Sequence, residues 1–168
     1  MRKAMLVCLA LVSGAPLALA DAAQDCVLNN DLETRLKGCS EVIDHDPGAA
    51  WAYASRAVGY IRKDEYERAI LDLTIAIDIG APNAINYNNR AWAYFKVGKA
   101  AQGLPDVERS LQMRPDHPNA LDTRGNIFAA LGRRDEAIAD FRKVLALVPN
   151  DPNAQEARKA LERLGAAP

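Results

Sequence analysis

Apolar residues recur along this chain with a helical period that breaks at regular intervals. Tyr53, Ala57, Tyr60 and Ile61 share one face of a helix expected from about Ala50 to Arg62. Tyr66, Ala69, Ile70, Leu73, Ile77 and Ile79 form the buried stripe of a second helix, expected to start at Asp64. The pair then returns 34 residues later, and again after another 34, without insertion or deletion. Between residues 50–83, 84–117 and 118–151, Arg56, Arg90 and Arg124 coincide, as do Ala57, Ala91 and Gly125, and Tyr60, Tyr94 and Phe128. The second halves keep step through Ala69, Gly103 and Ala137, then Asp72, Asp106 and Asp140, then Leu73, Val107 and Phe141. Self-similarity at a fixed period predicts an all-α array in which one unit does not close a core alone and must stack on its neighbours. Gly98 and Gly132 supply left-handed residues that end two of the first helices. Gly103, followed by Pro105, marks the helix expected to be weakest.

Small residues at the eighth and twentieth positions, large ones at the eleventh and twenty-fourth, and a proline near the end make the unit resemble the tetratricopeptide repeat. The prolines are Pro115 and Pro149, with Pro82 one place late. The resemblance covers about 100 of the 168 residues and is to the small exported bacterial members of that family. It implies a right-handed superhelical solenoid of antiparallel helix pairs: three full units at 50–83, 84–117 and 118–151, a degenerate N-terminal hairpin at 21–49, and a capping helix with a tail at 152–168. In the cap, Leu161 and Leu164 are expected against the helix of Phe141 and Leu145, with Glu156, Lys159, Glu162 and Arg163 outward.

The amino terminus reads differently. Arg2 and Lys3 precede an apolar run from Ala4 to Val12, and Ala18-Leu19-Ala20 offers small residues where a signal peptidase reads, so residues 1–20 are expected to be a signal peptide cleaved before Asp21. Ser13, Gly14 and Pro16 interrupt the run well short of a membrane span, and no stable membrane insertion is expected after cleavage. Together with the resemblance, this implies an exported protein of the bacterial periplasm. Cleavage also removes Cys8 and leaves Cys26 and Cys39, an even number in a chain sent out of the reducing cytoplasm. These two fall at the eleventh and twenty-fourth positions of the backward-extended repeat, facing each other across a hairpin. They are expected to form a structural disulfide between a helix from about Ala23 to Leu28 and one from about Asp31 to Asp44. A redox role fits poorly, because twelve residues separate the cysteines and Asp25 and Asp31 disfavour a thiolate.

Composition, 49% hydrophobic and 26% charged, is that of a soluble globular chain. Without Arg2 and Lys3 the chain carries 19 basic and 22 acidic residues, a net charge of −3 that points to neither nucleic acid nor any other strongly charged partner. The recurring Arg and Asp suggest ion pairs. Pairing within a unit leaves Arg158 without an Asp, whereas pairing each Asp with the next unit's Arg leaves only Arg56 over, since Gly38 holds the matching place. The inter-unit scheme, Asp72 with Arg90, Asp106 with Arg124 and Asp140 with Arg158, is the one favoured. No phosphate loop, HExxH or GxSxG is present, neither His45 nor His117 has a serine or cysteine nearby, and a zinc site needs further ligands than these two histidines. The chain is therefore read as non-catalytic, with no cofactor or metal.

Binding in the family generally uses the second, fifth, ninth and twelfth positions of the first helices. Here these bring Trp51, Asn88, Trp92, Phe95 and Asn126 forward as candidate contacts for a protein or peptide. Trp92 lies off the stripe filled by Tyr87, Ala91 and Tyr94, with Asn88 four residues before it and Phe95 three after. The alternative is that Trp92 is oversized core. Places that grip a chaperone's C-terminal carboxylate in some family members hold Ala54, Val58, Asn89, Asn119 and Thr123, of which only Asn89 matches. Two functions follow: an interaction module of the cell envelope that binds a partner segment in its concave groove, or a structural subunit that self-associates or stacks end to end.

Overall fold

The computed structural model describes residues 15–167; the expected charged start and apolar run of the signal peptide lie outside them. Among the described residues there are nine helices and no strand: α1 (Ala15–Leu28), α2 (Leu32–His45), α3 (Ala50–Arg62), α4 (Tyr66–Ile79), α5 (Ala84–Lys96), α6 (Ala100–Met113), α7 (Pro118–Ala130), α8 (Arg134–Leu147) and α9 (Pro152–Arg163). Each helix packs against the next, so the chain is a row of hairpins. The odd-numbered helices also touch along the row, α1 with α3, α3 with α5, α5 with α7 and α7 with α9. Among the described residues the even-numbered helices do not approach one another. A row whose members meet on one side and splay on the other is curved, with α3, α5, α7 and α9 on its inner face.

The hairpins close on small residues. Ala57, Ala69, Ala91 and Ala137 have no exposed surface. A Cβ on Gly103 would meet the Ala91 carbonyl oxygen at 2.7 Å, and one on Gly125 would meet the Phe141 ring at 2.8 Å, so both glycines are set by close approach. Around them one core joins Ala91, Val107, Leu121, Ile127, Phe128, Phe141, Val144 and Leu161, and a second joins Leu36, Ala57, Tyr60, Leu73 and Ala93. Leu164 and Leu145 pack on the edge of the first, as expected of a cap. Pro105 sits inside α6 without breaking it; its missing N–H costs only the bond to the Ala101 carbonyl, on an exposed residue that water reaches.

Three expectations are corrected at the element scale. The first helix starts at Ala15 instead of Ala23, because Pro16 falls in its first turn where proline is tolerated, Leu17 to Ala20 are strong helix formers, and Leu19 packs on the cluster of Ala22, Cys26 and Cys39. The second helix of the first full unit begins at Tyr66, not Asp64. Asp64 stands where the later units have Gly98 and Gly132, and it adopts the same left-handed conformation, φ 59°, so it belongs to the turn. In the α4 stripe Asp72 and Ala76 are buried, whereas Ile79 is exposed.

The ion pairs are a fourth correction. Arg56 Nε and Nη2 donate to Asp72 at 2.8 and 2.9 Å, Arg90 to Asp106 at 2.7 and 2.8 Å, and Arg124 to Asp140 at 2.7 Å for both bonds. Each fork lies within its own unit, so Asp72 does not pair with Arg90, Asp106 with Arg124, or Asp140 with Arg158. Each Asp precedes the large residue that faces the partner helix of its own hairpin, which puts its carboxylate beside that helix's Arg. The link between units is made by a different group: Arg56 Nη1 donates to Ser40 Oγ at 3.1 Å and Arg90 Nη1 to Thr74 Oγ1 at 3.2 Å. The place equivalent to Thr74 in the last unit is Arg142, which accepts nothing, and Arg158 Nη2 donates to the Pro149 carbonyl at 2.9 Å.

At the amino-terminal end the sulfurs of Cys26 and Cys39 lie at disulfide distance, 2.06 Å, between two helices close enough that a Cβ on Gly38 would meet the Ala22 carbonyl oxygen at 2.6 Å. Arg35, at a place held by alanine or glycine in the full units, caps α1 by donating to the carbonyls of Asn29 and Val27 at 3.1 and 2.8 Å.

Candidate functional site

The inner face is built by α3, α5, α7 and α9, whose outward-turned positions are neither core nor ion pair. On α5 the core takes Ala91 and Ala93 and the fork takes Arg90, which leaves Asn88, Trp92 and Phe95 toward α7. Trp92 is half-buried, its ring centroid 5.3 Å from that of Phe95 at a tilt of 39°, a favourable aromatic pair. Lys96 Nζ lies 5.5 Å from the same indole.

Two adjoining clefts open here. One, about 240 Å³, is lined by Asn88, Asn89 and Trp92 of α5 and by Asn119, Asp122 and Thr123 of α7. The other, about 280 Å³, is lined by Phe95, Asn126, Ala129, Ala130 and Phe141 with Ala160, Arg163 and Leu164 of the cap. The five candidate contacts are thus divided: Asn88 and Trp92 share the first cleft, Phe95 and Asn126 the second, and Trp51, 43% exposed, stands one unit earlier and lines neither. Asn88, one of the candidate contacts, is only 7% exposed. Its Oδ1 is buried and has no hydrogen-bond partner.

Asp122 is the residue that sequence reasoning passed over. It occupies in α7 the position that Asn88 occupies in α5, and that shared fifth position was the available signal. Its Oδ2 accepts from Asn126 Nδ2 at 3.1 Å, a nitrogen that also donates to the Asp122 carbonyl at 2.8 Å. Its Oδ1 is buried without a partner. Burial pushes this carboxyl up to about 6 and the charge of Glu156 adds to the effect, while the Asn126 bond and Arg163 oppose it. Thr123 Oγ1 donates to the Asn119 carbonyl at 2.8 Å.

Other titratable groups fit structural roles. Bonds to their aspartates hold Arg56, Arg90 and Arg124 above the ordinary guanidinium value. Burial, aided by Arg114, lowers His117, whose Nδ1 is buried without a partner. Tyr66, donating to Asp64, is raised to about 12. Among the described residues no three His, Cys, Asp or Glu side chains gather as a metal would require, and no helix is long and apolar enough to cross a membrane.

Comparison with known proteins bears on this face. A family model described as tetratricopeptide repeat matches residues 90–162. No curated protein sequence matches significantly. Among solved structures, the second such domain of human RPAP3, in complex with the HSP70 peptide SGPTIEEVD, is 30% identical with a TM-score of 0.61, over 69% of this chain and 94% of that one. The corresponding domain of Arabidopsis OM64 is 28% identical with a TM-score of 0.62, over 68% and 95%. MamA residues 41 to the end from Desulfovibrio magneticus superpose better, TM-score 0.75 over 88% and 84%, but at 15% identity that likeness concerns the fold alone.

Proposed function

The chain belongs to the tetratricopeptide repeat family, and from that premise we propose that it is a non-catalytic interaction module whose inner face binds a segment of another protein in the bacterial cell envelope. The observation that carries the reading is the cleft between α5 and α7, where a half-buried Trp92 walls a pocket floored by polar atoms without partners. Peptide complexes of related domains, with an HSP70 peptide and with the HSP90 peptide SRMEEVD, support binding of this kind. The envelope location rests on Arg2 and Lys3, the apolar run after them, and the paired cysteines; cleavage before Asp21 would shorten α1 yet keep Ala22 and Cys26 in their cluster.

A photo-crosslinking side chain at position 92 or 89 should trap a partner segment from envelope extract, whereas one at exposed Glu67 on α4 should not. In the free protein Trp92 should be quenched by iodide, with protection on binding. Equal crosslinking from both faces, or shielding of Trp92 without partner together with unfolding of Trp92→Ala, would overturn the reading.

A second reading, self-association, is favoured by one feature. Leu71, Ile75 and Ile79, 65%, 38% and 44% exposed, form an apolar line along α4. If that line holds copies together, sedimentation of the wild type should show concentration-dependent mass that Leu71→Glu abolishes.

A further inference from the structure

The groove reading above names a face and leaves the chemistry of its occupant open; the cleft between α5 and α7 goes further. Buried polar atoms are nearly always hydrogen-bonded, so two acceptors without donors in one small cleft call for a cause. Asn88 is more than nine-tenths buried, lines the cleft and has Oδ1 unpartnered. Across from it Asp122 contributes a second unpartnered buried oxygen. Two donors beside the cleft are engaged elsewhere: Asn126 Nδ2 is shared between the Asp122 carbonyl and Oδ2, and Thr123 Oγ1 serves the Asn119 carbonyl.

We propose that this cleft is a subsite for one basic side chain, arginine or lysine, of the partner segment, whose N–H groups satisfy Asn88 Oδ1 and Asp122 Oδ1 while its charge neutralises the carboxylate. The proposal rests on the groove being the binding face. Electrostatic complementarity selects the occupant. A neutral amide fills an acceptor but leaves a desolvated carboxylate uncompensated, and an acidic side chain is repelled. A guanidinium carries five donors and reaches two acceptors at once, and it also stacks on an indole such as Trp92. The charged groups facing Asp122 are Glu156 and Arg163 of α9, opposite in sign, with Lys96 beyond Trp92 on α5. Neither cation near the cleft hydrogen-bonds the carboxylate. A larger cleft, about 410 Å³, lined by Glu108, Arg124 and Lys143, offers no such demand, because Arg124 is held by Asp140 and Lys143 by Asp116 at 2.8 Å.

The experiment titrates isotope-labelled protein with capped five-residue peptides of glycine around a central arginine, lysine, citrulline or glutamate, to about 10 mM. The expected result is movement of the Asn88 and Asn89 side-chain amides and the Trp92 indole N–H by the arginine and lysine peptides, with citrulline and glutamate at least about tenfold weaker. Affinity for the arginine peptide should fall as pH drops through about 6, where Asp122 takes up a proton, and Asp122→Asn should weaken it about tenfold or more. Citrulline or glutamate binding as well as arginine would overturn the basic subsite and leave the groove standing. If no peptide moves any groove resonance, the basic subsite falls, and the groove itself is then decided by the crosslinking at positions 89 and 92. The arginine-against-citrulline comparison uses the unaltered protein, so it decides the matter even where a variant folds poorly.

Discussion

Asp122 makes the inner face expensive to fold. Its carboxyl is raised to about 6 in the folded chain against roughly 3.9 unfolded. As pH falls between those values the folded form takes up a proton that the unfolded form does not, so this group adds stability toward acid and subtracts it at neutrality. Asp122→Asn should therefore stabilise the protein by about 2 kcal/mol at pH 7, a gain that vanishes near pH 4. Exposed carboxylates lowered by their partners, among them Asp31, Glu65, Glu136 and Glu156, act in the opposite sense. The measurement is consequently the difference between variant and wild type in denaturant midpoint across pH; a flat difference would remove the claim. The Arg–Asp forks lead to a second residue-scale expectation. Asp106 is nearly buried and doubly bonded by Arg90, so Arg90→Met strands a buried carboxylate and should cost about 3 kcal/mol after allowance for the part-exposed arginine. Arg158→Met loses one carbonyl bond at the surface and should cost less than about 1 kcal/mol. Equal losses at the two positions would contradict the pairing within units.

Among the elements, the paired helices were legible because a 34-residue period fixes which positions are small and which are large, and close packing leaves few alternatives to that pattern. What stayed hidden depended on direction and not on spacing. Two Arg–Asp schemes share the same periodicity, and only the orientation of Asp72 beside Leu73 selects the pair within the unit. Asp64 was read as a helix start, yet it fills the turn place of Gly98 and Gly132. Trp92 and Phe95 were recognised from their faces, whereas Asn88 and Asp122 were not separated from ordinary groove amides and charges. Burial of one atom of a side chain leaves no trace in sequence. At the amino-terminal end α1 has a neighbour hairpin on one side only, and the Cys26–Cys39 link closes a short loop. Cys39→Ser should destabilise this hairpin by roughly 3 kcal/mol. Hydrogen exchange should show the loss in α1 and α2, with α5 to α8 unchanged, and alkylation of either cysteine before reduction would dispose of the bond.

Over the whole molecule the cores overlap like shingles. One spans α1 to α3, another α2 to α5, and the largest α5 to α9, with Ala93 and Ala91 on neighbouring faces of α5 belonging to successive cores. Stability in such a row is local and passed between neighbours, so damage at one end should fade along the array. The cap offers a clean test. Ala154, Ala157 and Leu161 of α9 have no exposed surface, Ala160 has little, and Arg134 anchors the tail by donating to the Leu164 carbonyl at 2.9 Å. Ending the chain at Asp151 uncovers Phe141, Val144 and Ile138 and forfeits the burial of Leu161, worth roughly 3–5 kcal/mol with the alanines. Exchange protection should drop by the full amount in α7 and α8, by less in α5 and α6, and not at all in α1 to α3. The truncation also removes Glu156 and Arg163 from beside Asp122 and one wall of the cleft that holds Phe95 and Asn126, so groove resonances should shift before any partner is added. Uniform loss of protection from α1 to α8 would mean that the array folds as one cooperative block and that α9 supports the whole of it, not one end.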